Sequence, residues 1–450
     1  MILARGRKNQ DLTPSSHQLL PVLGLGFGLA VTIGNTIGGG IFRTPGEIAT
    51  HLPTTWLFMA AWAAGGLYAL VGAIQIAELG TMMPRSGGQY VFSRYALGEY
   101  PGFIVGWSDW LSTCGTTAAV SLVIAEFSGA LFPAVARRPA AVATIIVVVF
   151  ALAQWRGVRQ GSFVQNVTSA LKALAFAALI VAAFALGGEA STQETSVLAP
   201  PTGMALVGAF VLSLQAVIYT YDGWTGVIYF SEEVEHPERD IPRSLFASVL
   251  AIIATYLLVN LAFLYVLPVS RMAGETFAAG AVARVIFGEL GDPVFRALTI
   301  VSMLSAINAF HLMASRVLFA MSRDGLVSAR AAAVNEGGTP TVALFLSAAV
   351  AVLFIVLGRT FQTVITVLAF FFVANYTLSF VSLFVLRRRE PDRARPYRAW
   401  GYPWTTALAL LGSVGFLAGA VASDTRNSLY ALLLLAASYP GFRILRSLSR

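Results

Sequence analysis

Long apolar runs separated by short polar connections fill this chain from residue 19 to residue 446. A helix rises 1.5 Å per residue, so about 20 apolar residues cross the roughly 30 Å hydrocarbon layer of a bilayer. The pattern predicts twelve spans, near 19–49, 55–82, 101–131, 139–156, 161–186, 205–231, 243–268, 291–321, 340–357, 361–386, 404–423 and 428–446. The longest polar connections are 83–100, 187–204, 232–242, 269–290, 322–339 and 387–403, and none holds an inserted domain. Segment 84–100 is expected to carry a short helix, and 275–289 a short surface helix on the opposite side. The fold class read from this pattern is an all-α integral membrane protein.

Two spans break the pattern. The first contains Ile37-Gly38-Gly39-Gly40-Ile41, and the sixth contains Tyr219-Thr220-Tyr221-Asp222-Gly223-Trp224. Lipid cannot satisfy free backbone groups, so such breaks persist only where they line a protein cavity or a ligand. Paired breaks at corresponding positions of two halves point to a binding site at the membrane midplane. The division that follows is a tail at 1–18, a first five-span half at 19–190, a second at 205–390, and two extra spans with a short tail at 404–450. No obvious sequence repeat accompanies it.

Of the 450 residues, 57% are hydrophobic and 12% charged, with a mean hydropathy of +0.73, which excludes an ordinary soluble domain. The net charge of +8 does not imply nucleic acid, because the arginines gather on alternate connections. Arg5, Arg85, Arg94, Arg156, Arg239, Arg323 and the run from Arg387 to Arg398 fall on one side. This bias predicts that both termini are cytoplasmic, with some attraction to anionic lipid heads. Residues 1–18 lack a small-residue cleavage site and read as a tail, not a signal peptide. Cys114 is the only cysteine, so no internal disulfide can form.

Three glycines exceed what helix packing needs. A half-helix starting among Gly38, Gly39 and Gly40 offers main-chain N–H donors and a dipole that attract a carboxylate, and glycine permits close approach. Unwound carbonyls near Tyr219 to Trp224 can accept from an ammonium. Together they fit the head group of a zwitterionic amino acid. Asp222 either bonds to local backbone and holds the break open, the favoured reading, or faces the amine of a ligand. Lys172 is one of only two lysines. It lies roughly 16 Å into the fifth span at helical rise, and needs a carbonyl or an acid as partner. Glu232 and Glu233 either latch onto basic residues of the N-terminal tail or form a solvated loop face. His311 has no metal-ligand neighbours in sequence, so neither a metal nor a cofactor is expected.

These residues resemble a known family. Gly38-Gly39-Gly40-Ile41-Phe42-Arg43-Thr44-Pro45-Gly46 is similar to the first-span motif of the amino acid–polyamine–organocation superfamily. Tyr221-Asp222-Gly223-Trp224 with Glu232 to Arg243, Pro84 to Tyr90, and Ser315 to Gly325 resemble its sixth span, second loop and eighth-span end. Within the superfamily the chain looks closest to bacterial relatives of the L-type amino acid transporters. The resemblance implies a LeuT-type 5+5 inverted repeat plus two C-terminal helices, with spans one and six broken at the midplane, and alternating access. It implies carboxylate binding at Ile37 to Ile41 and amine binding at carbonyls of Tyr219 to Asp222, beside Gly223 and Trp224. It makes Tyr219 an outer lid, Lys172 a substitute for a bound sodium ion, and Asn308 either a pocket residue or an interhelical hydrogen-bond partner. Eukaryotic L-type members carry a cysteine for a heavy-chain subunit; its absence here predicts no such partner.

The expected function is sodium-independent transport of a neutral L-amino acid across a bacterial inner membrane, by exchange or proton symport. A cationic amino acid or polyamine antiporter is the alternative, prompted by Asp222. A membrane amino acid sensor would share the same pocket. An intramembrane protease would need Asp222 and a second acid, Asp109, to share one site, so no enzyme is expected.

Overall fold

The computed structural model of the chain describes residues 19, 21–156, 158–187, 199–358 and 361–448. Among these residues no strand forms, and helices fall on every predicted apolar run. The first span is two helices, Leu25–Thr36 and Gly40–His51, bent by 40° at the glycines. Spans two to five are Thr55–Met82, Glu99–Leu131, Pro139–Trp155 and Val158–Leu186. The sixth runs Gly203–Tyr221, turns at Asp222 to Thr225, and continues as a 3-10 helix, Gly226–Phe230. Then come Pro237–Val266, Gly291–Arg323, Thr341–Gly358, Phe361–Arg389 and Trp404–Ser423. The last predicted span is divided into Thr425–Ala436 and Ser438–Leu448.

Among the described residues eight helices are long and apolar enough to cross a membrane, nine with the bent first span. Pro139–Trp155 and Thr341–Leu357 are apolar but shorter, so twelve crossings stay an expectation. The two connection helices form at Gln89–Leu97 and Ala278–Phe287. The second is not merely superficial, since Ala278 to Ala283 are buried.

The third span is the hub, packed against the eighth, tenth, fourth and ninth, while the first packs against the seventh, fifth and eighth. Small residues allow this closeness. A Cβ on Gly65 would stand 2.3 Å from Val217 Cγ1, and one on Gly72 2.9 Å from Trp224 Cη2. The second span thereby presses against the broken sixth. Large apolar side chains such as Leu174, Leu357, Trp404 and Leu411 remain exposed, as lipid-facing positions do.

One end of the bundle is tied by charge. The Leu23 N–H donates to the Glu233 carbonyl at 2.8 Å, and the Glu235 N–H to the Leu23 carbonyl at 3.0 Å. The Glu233 carboxylate accepts two bonds from Arg316, both 3.0 Å, with both side chains fully buried. Arg316 also lies 5.4 Å over the Phe230 ring. Arg323 donates to Glu232 at 2.9 Å. The acids therefore pair with eighth-span arginines and do not form a merely solvated face. A buried carboxylate needs a fixed partner, which the helix end supplies; the tail, residues 1–18, lies outside the described residues.

Candidate functional site

The two breaks meet. Asn35 Nδ2 donates to the Gly223 carbonyl at 3.2 Å, and the hydroxyls of Thr44 and Thr220 lie 2.8 Å apart. Gly223 has φ +101°, a left-handed conformation that glycine adopts without strain. Any Cβ there would also strike Asn35 Nδ2 at 2.5 Å. The Tyr256 hydroxyl, from the seventh span, reaches a carbonyl at the end of each interrupted helix: Thr36 O at 2.9 Å, which also accepts the Gly38 N–H at 2.8 Å, and Thr220 O at 3.0 Å. One side chain thus joins the carbonyl ends of both interrupted helices, where the intrahelical ladder stops.

The half-helix that begins at Gly40 has no side-chain cap at Gly39. Its first N–H groups are left for another acceptor. Each glycine has its own reason. A Cβ on Gly40 would meet Thr220 Oγ1 at 2.7 Å, and one on Gly39 would meet Met303 Sδ at 2.8 Å. A Cβ on Gly38 would meet nothing closer than Ala306 Cβ at 4.0 Å. Gly38 is therefore not forced by protein packing, which fits a position kept bare for a ligand.

A cavity lies against these breaks. Gly38, Gly39, Gly40, Tyr219 and Asp222 line it, as the sequence reading has them. Asn35 and Thr36 add to the wall from the first span, and Thr220 from the sixth. Thr116 and Val120 come from the third span, Phe310 from the eighth and Phe372 from the tenth. Sequence reasoning missed all seven. The first three sit beside the breaks and were within reach of it. The others are ordinary span residues, and only packing selects them.

The remaining expected residues stand behind the wall. Ile37 and Ile41 are buried in the core. The Tyr221 ring packs 4.9 Å from Tyr256 and 6.1 Å from Trp62. Trp224 packs 5.1 Å from Tyr376. Gln154 donates to Asn308 twice, at its carbonyl (2.6 Å) and at Oδ1 (3.0 Å), so Asn308 ties the eighth span to the fourth.

Asp222 accepts a hydrogen bond from the Tyr376 hydroxyl and one from the Gly223 N–H. This is the local, break-supporting arrangement, with a tenth-span tyrosine added. Asp109 takes the Tyr229 hydroxyl on both oxygens, at 2.9 Å each. Each acid has its own tyrosine, and they do not share one bond as an acid–base pair would. His311 Nδ1 lies 3.1 Å from the Ile307 carbonyl, and the described residues hold no cluster that could bind a metal.

The Lys172 side chain lies outside the described residues. The helix that carries it is described, and its register is informative. Positions 169, 172 and 176 share one helical face. Ser169 Oγ donates to the Ala30 carbonyl at 2.9 Å, before the first-span break, and Phe176 stacks on Phe42 at 5.0 Å, after it. Position 172 therefore falls at the level of the break.

The comparisons agree with this geometry. A family of amino acid permeases matches residues 28–438. The serine/threonine exchanger SteT of Bacillus subtilis is 28% identical over 93% of this chain and 95% of its own. The mouse b(0,+)-type amino acid transporter 1 is 27% identical over 88% of this chain and 83% of its own. The mouse Asc-type amino acid transporter 1 is 28% identical over 84% and 72%. These relatives are transporters and exchangers by name, not enzymes. With nearly its whole length matched and its two broken spans joined around one cavity, the chain belongs to the amino acid permeases of the amino acid–polyamine–organocation superfamily.

Proposed function

We propose that this permease moves a small, neutral, zwitterionic L-amino acid without sodium, by exchange or proton symport. The observation that carries the reading is the uncapped half-helix at Gly40 and the interrupted sixth span lining one cavity. At the Gly38 to Gly40 break the N–H groups of Gly39 and Gly40 hold the carboxylate, while the Gly38 N–H donates to the Thr36 carbonyl at 2.8 Å. Carbonyls at Tyr219 to Asp222 hold the ammonium, and Tyr219 covers the site. The tyrosine and backbone bonds of Asp222 favour a neutral substrate over a cationic one, since they occupy the acid that a cation would need. Val120, Phe310 and Phe372 add an apolar wall. The exchanger name of the Bacillus relative supports exchange and a small side chain.

In this reading the spans form two inverted five-span repeats, 19–190 and 205–390, with 404–450 as an addition, and Lys172 takes the place of a coupling sodium ion. Both termini face the cytoplasm of a bacterial inner membrane. The test is counterflow into proteoliposomes with labelled serine, alanine, leucine and arginine, with sodium replaced by choline. Saturable uptake of the neutral substrates in choline is expected. Strict sodium dependence would overturn the coupling. Preferred arginine uptake would transfer the reading to a cationic antiporter, and binding without uptake would make the chain a sensor.

A further inference from the structure

A second cavity, of about 270 Å³, opens at the charged end of the bundle. Its floor is apolar, formed by Met82, Met83 and Val91, and its wall carries Arg85, Arg94 and Arg393 with Asp324. Three separate elements supply these arginines: the connection after the second span, the short helix Gln89–Leu97, and the segment after the tenth span.

The acids nearby do not neutralise it. Arg85 and Arg94 both turn to the single Asp324, at 3.1 and 3.3 Å, and the Tyr90 hydroxyl also donates to that carboxylate. Arg393 donates to Glu390 at 2.8 Å and lies 4.7 Å over the Tyr95 ring. Glu232 is committed to Arg323 and stands 4.0 Å from Arg85. Arg389 reaches the Ala96 carbonyl at 3.0 Å. Five arginines (Arg85, Arg94, Arg323, Arg389, Arg393) therefore face three acids (Asp324, Glu232, Glu390) in this region. Arg94 Nε is buried with no hydrogen-bond partner, an unmet donor in the cavity wall.

We infer that this cavity binds a phosphate-bearing anion, and that an anionic phospholipid headgroup is its occupant. Planar guanidinium forks suit tetrahedral oxyanions, and three of them surround one space. The apolar floor and the location at a span end suit a headgroup whose chains stay in the bilayer, where basic pockets between spans hold such lipids. An occupant would also join the second-span connection, the eighth-span end and the segment after the tenth span. It would thereby stabilise the closed form of this end.

The test is thermal melting of the purified full chain, a readout independent of which amino acid is moved. The protein is measured in detergent with phosphatidylcholine, with phosphatidylglycerol, or with inorganic phosphate. A ligand that binds only the folded form raises the melting midpoint. Phosphatidylglycerol is expected to raise it relative to phosphatidylcholine. At least half of that rise should vanish in Arg94→Gln and in Arg393→Gln, and survive in Arg443→Gln, an exposed charge-matched control. If Arg94→Gln does not fold, Arg393→Gln decides. A rise reproduced by phosphate alone would keep the anion site and overturn the lipid as occupant. No rise with either anion, or an equal rise in all variants, would overturn the site.

Discussion

Tyr256→Phe removes one oxygen and nothing else. The ring keeps its place 5.7 Å from Trp62 and 4.9 Å from Tyr221. What is lost is the proton shared between the Thr36 and Thr220 carbonyls, both in fully buried surroundings. A net hydrogen bond contributes about 1 kcal/mol, and a buried group left unpaired costs about 1–3 kcal/mol. Carbonyls tolerate partial satisfaction better than N–H groups do, and the Thr36 carbonyl keeps the Gly38 N–H, so the lower part of that range applies. A loss of about 1–2 kcal/mol corresponds to a factor of about 5–30 in an equilibrium. The assay is counterflow uptake with full saturation curves, beside melting of the purified variant. If the bridge holds the two breaks in register, KM should rise about 5–30-fold, with a lower melting midpoint and near-normal abundance. A KM within twofold of the parent protein, together with unchanged melting, would refute the assignment.

Three further outcomes follow from the same geometry. Gly38→Ala, whose new methyl meets only Ala306 at 4.0 Å, should keep its melting behaviour yet raise KM at least about tenfold, near 1.4 kcal/mol; an unchanged KM would separate Gly38 from the ligand. Glu233→Gln leaves the Arg316 charge buried and should destabilise by about 3–5 kcal/mol, whereas the double replacement Glu233→Met with Arg316→Met should recover much of the folded protein, as melting would report. Lys172→Ala should abolish most uptake while abundance in the membrane stays above half; unchanged uptake would remove Lys172 from the transport cycle.

The sequence made the breaks legible because glycine runs and an acid are anomalous in apolar surroundings. The short helix before the third span was readable too, since a polar stretch at a span end must satisfy its backbone somehow. What stayed hidden depends on tertiary packing. Phe310 and Phe372 are two among 30 phenylalanines, and nothing local separates a cavity wall from a lipid face. Tyr256 is an unremarked tyrosine until the seventh span brings it to two carbonyls 184 residues apart in sequence (Thr36 and Thr220). Asn308 and Trp224 carried the right residue types but point to structural partners, Gln154 and Tyr376. The acids Glu232 and Glu233 were visible, but their arginine partners lie over eighty residues further on.

The distribution of polar bonds also says which parts must move together. Asn35 to Gly223, Thr44 to Thr220, and Tyr256 to both carbonyls join the first, sixth and seventh spans into one hydrogen-bonded group. Across the cavity the third, eighth and tenth spans offer the apolar side chains Val120, Phe310 and Phe372. Polar attachment between the two groups includes Tyr376 to Asp222, Tyr229 to Asp109, and the charged end, where Glu233 holds Arg316 and Glu232 holds Arg323. A cavity that opens alternately to each side therefore costs least if the bonded group moves whole while the two tyrosine–acid bonds and the charged end release. Cross-links separate this from a motion that parts the breaks. In a Cys114→Ala background, Thr44→Cys with Thr220→Cys replaces hydroxyls 2.8 Å apart, close enough for a disulfide to form. That link should leave counterflow above about half of the parent rate. Glu232→Cys with Arg323→Cys, linked across the charged end, should stop counterflow until a reductant restores it. Counterflow blocked by the first link and spared by the second would mean that the breaks part during each cycle, and that the hydrogen bonds joining them are made and broken with every substrate carried.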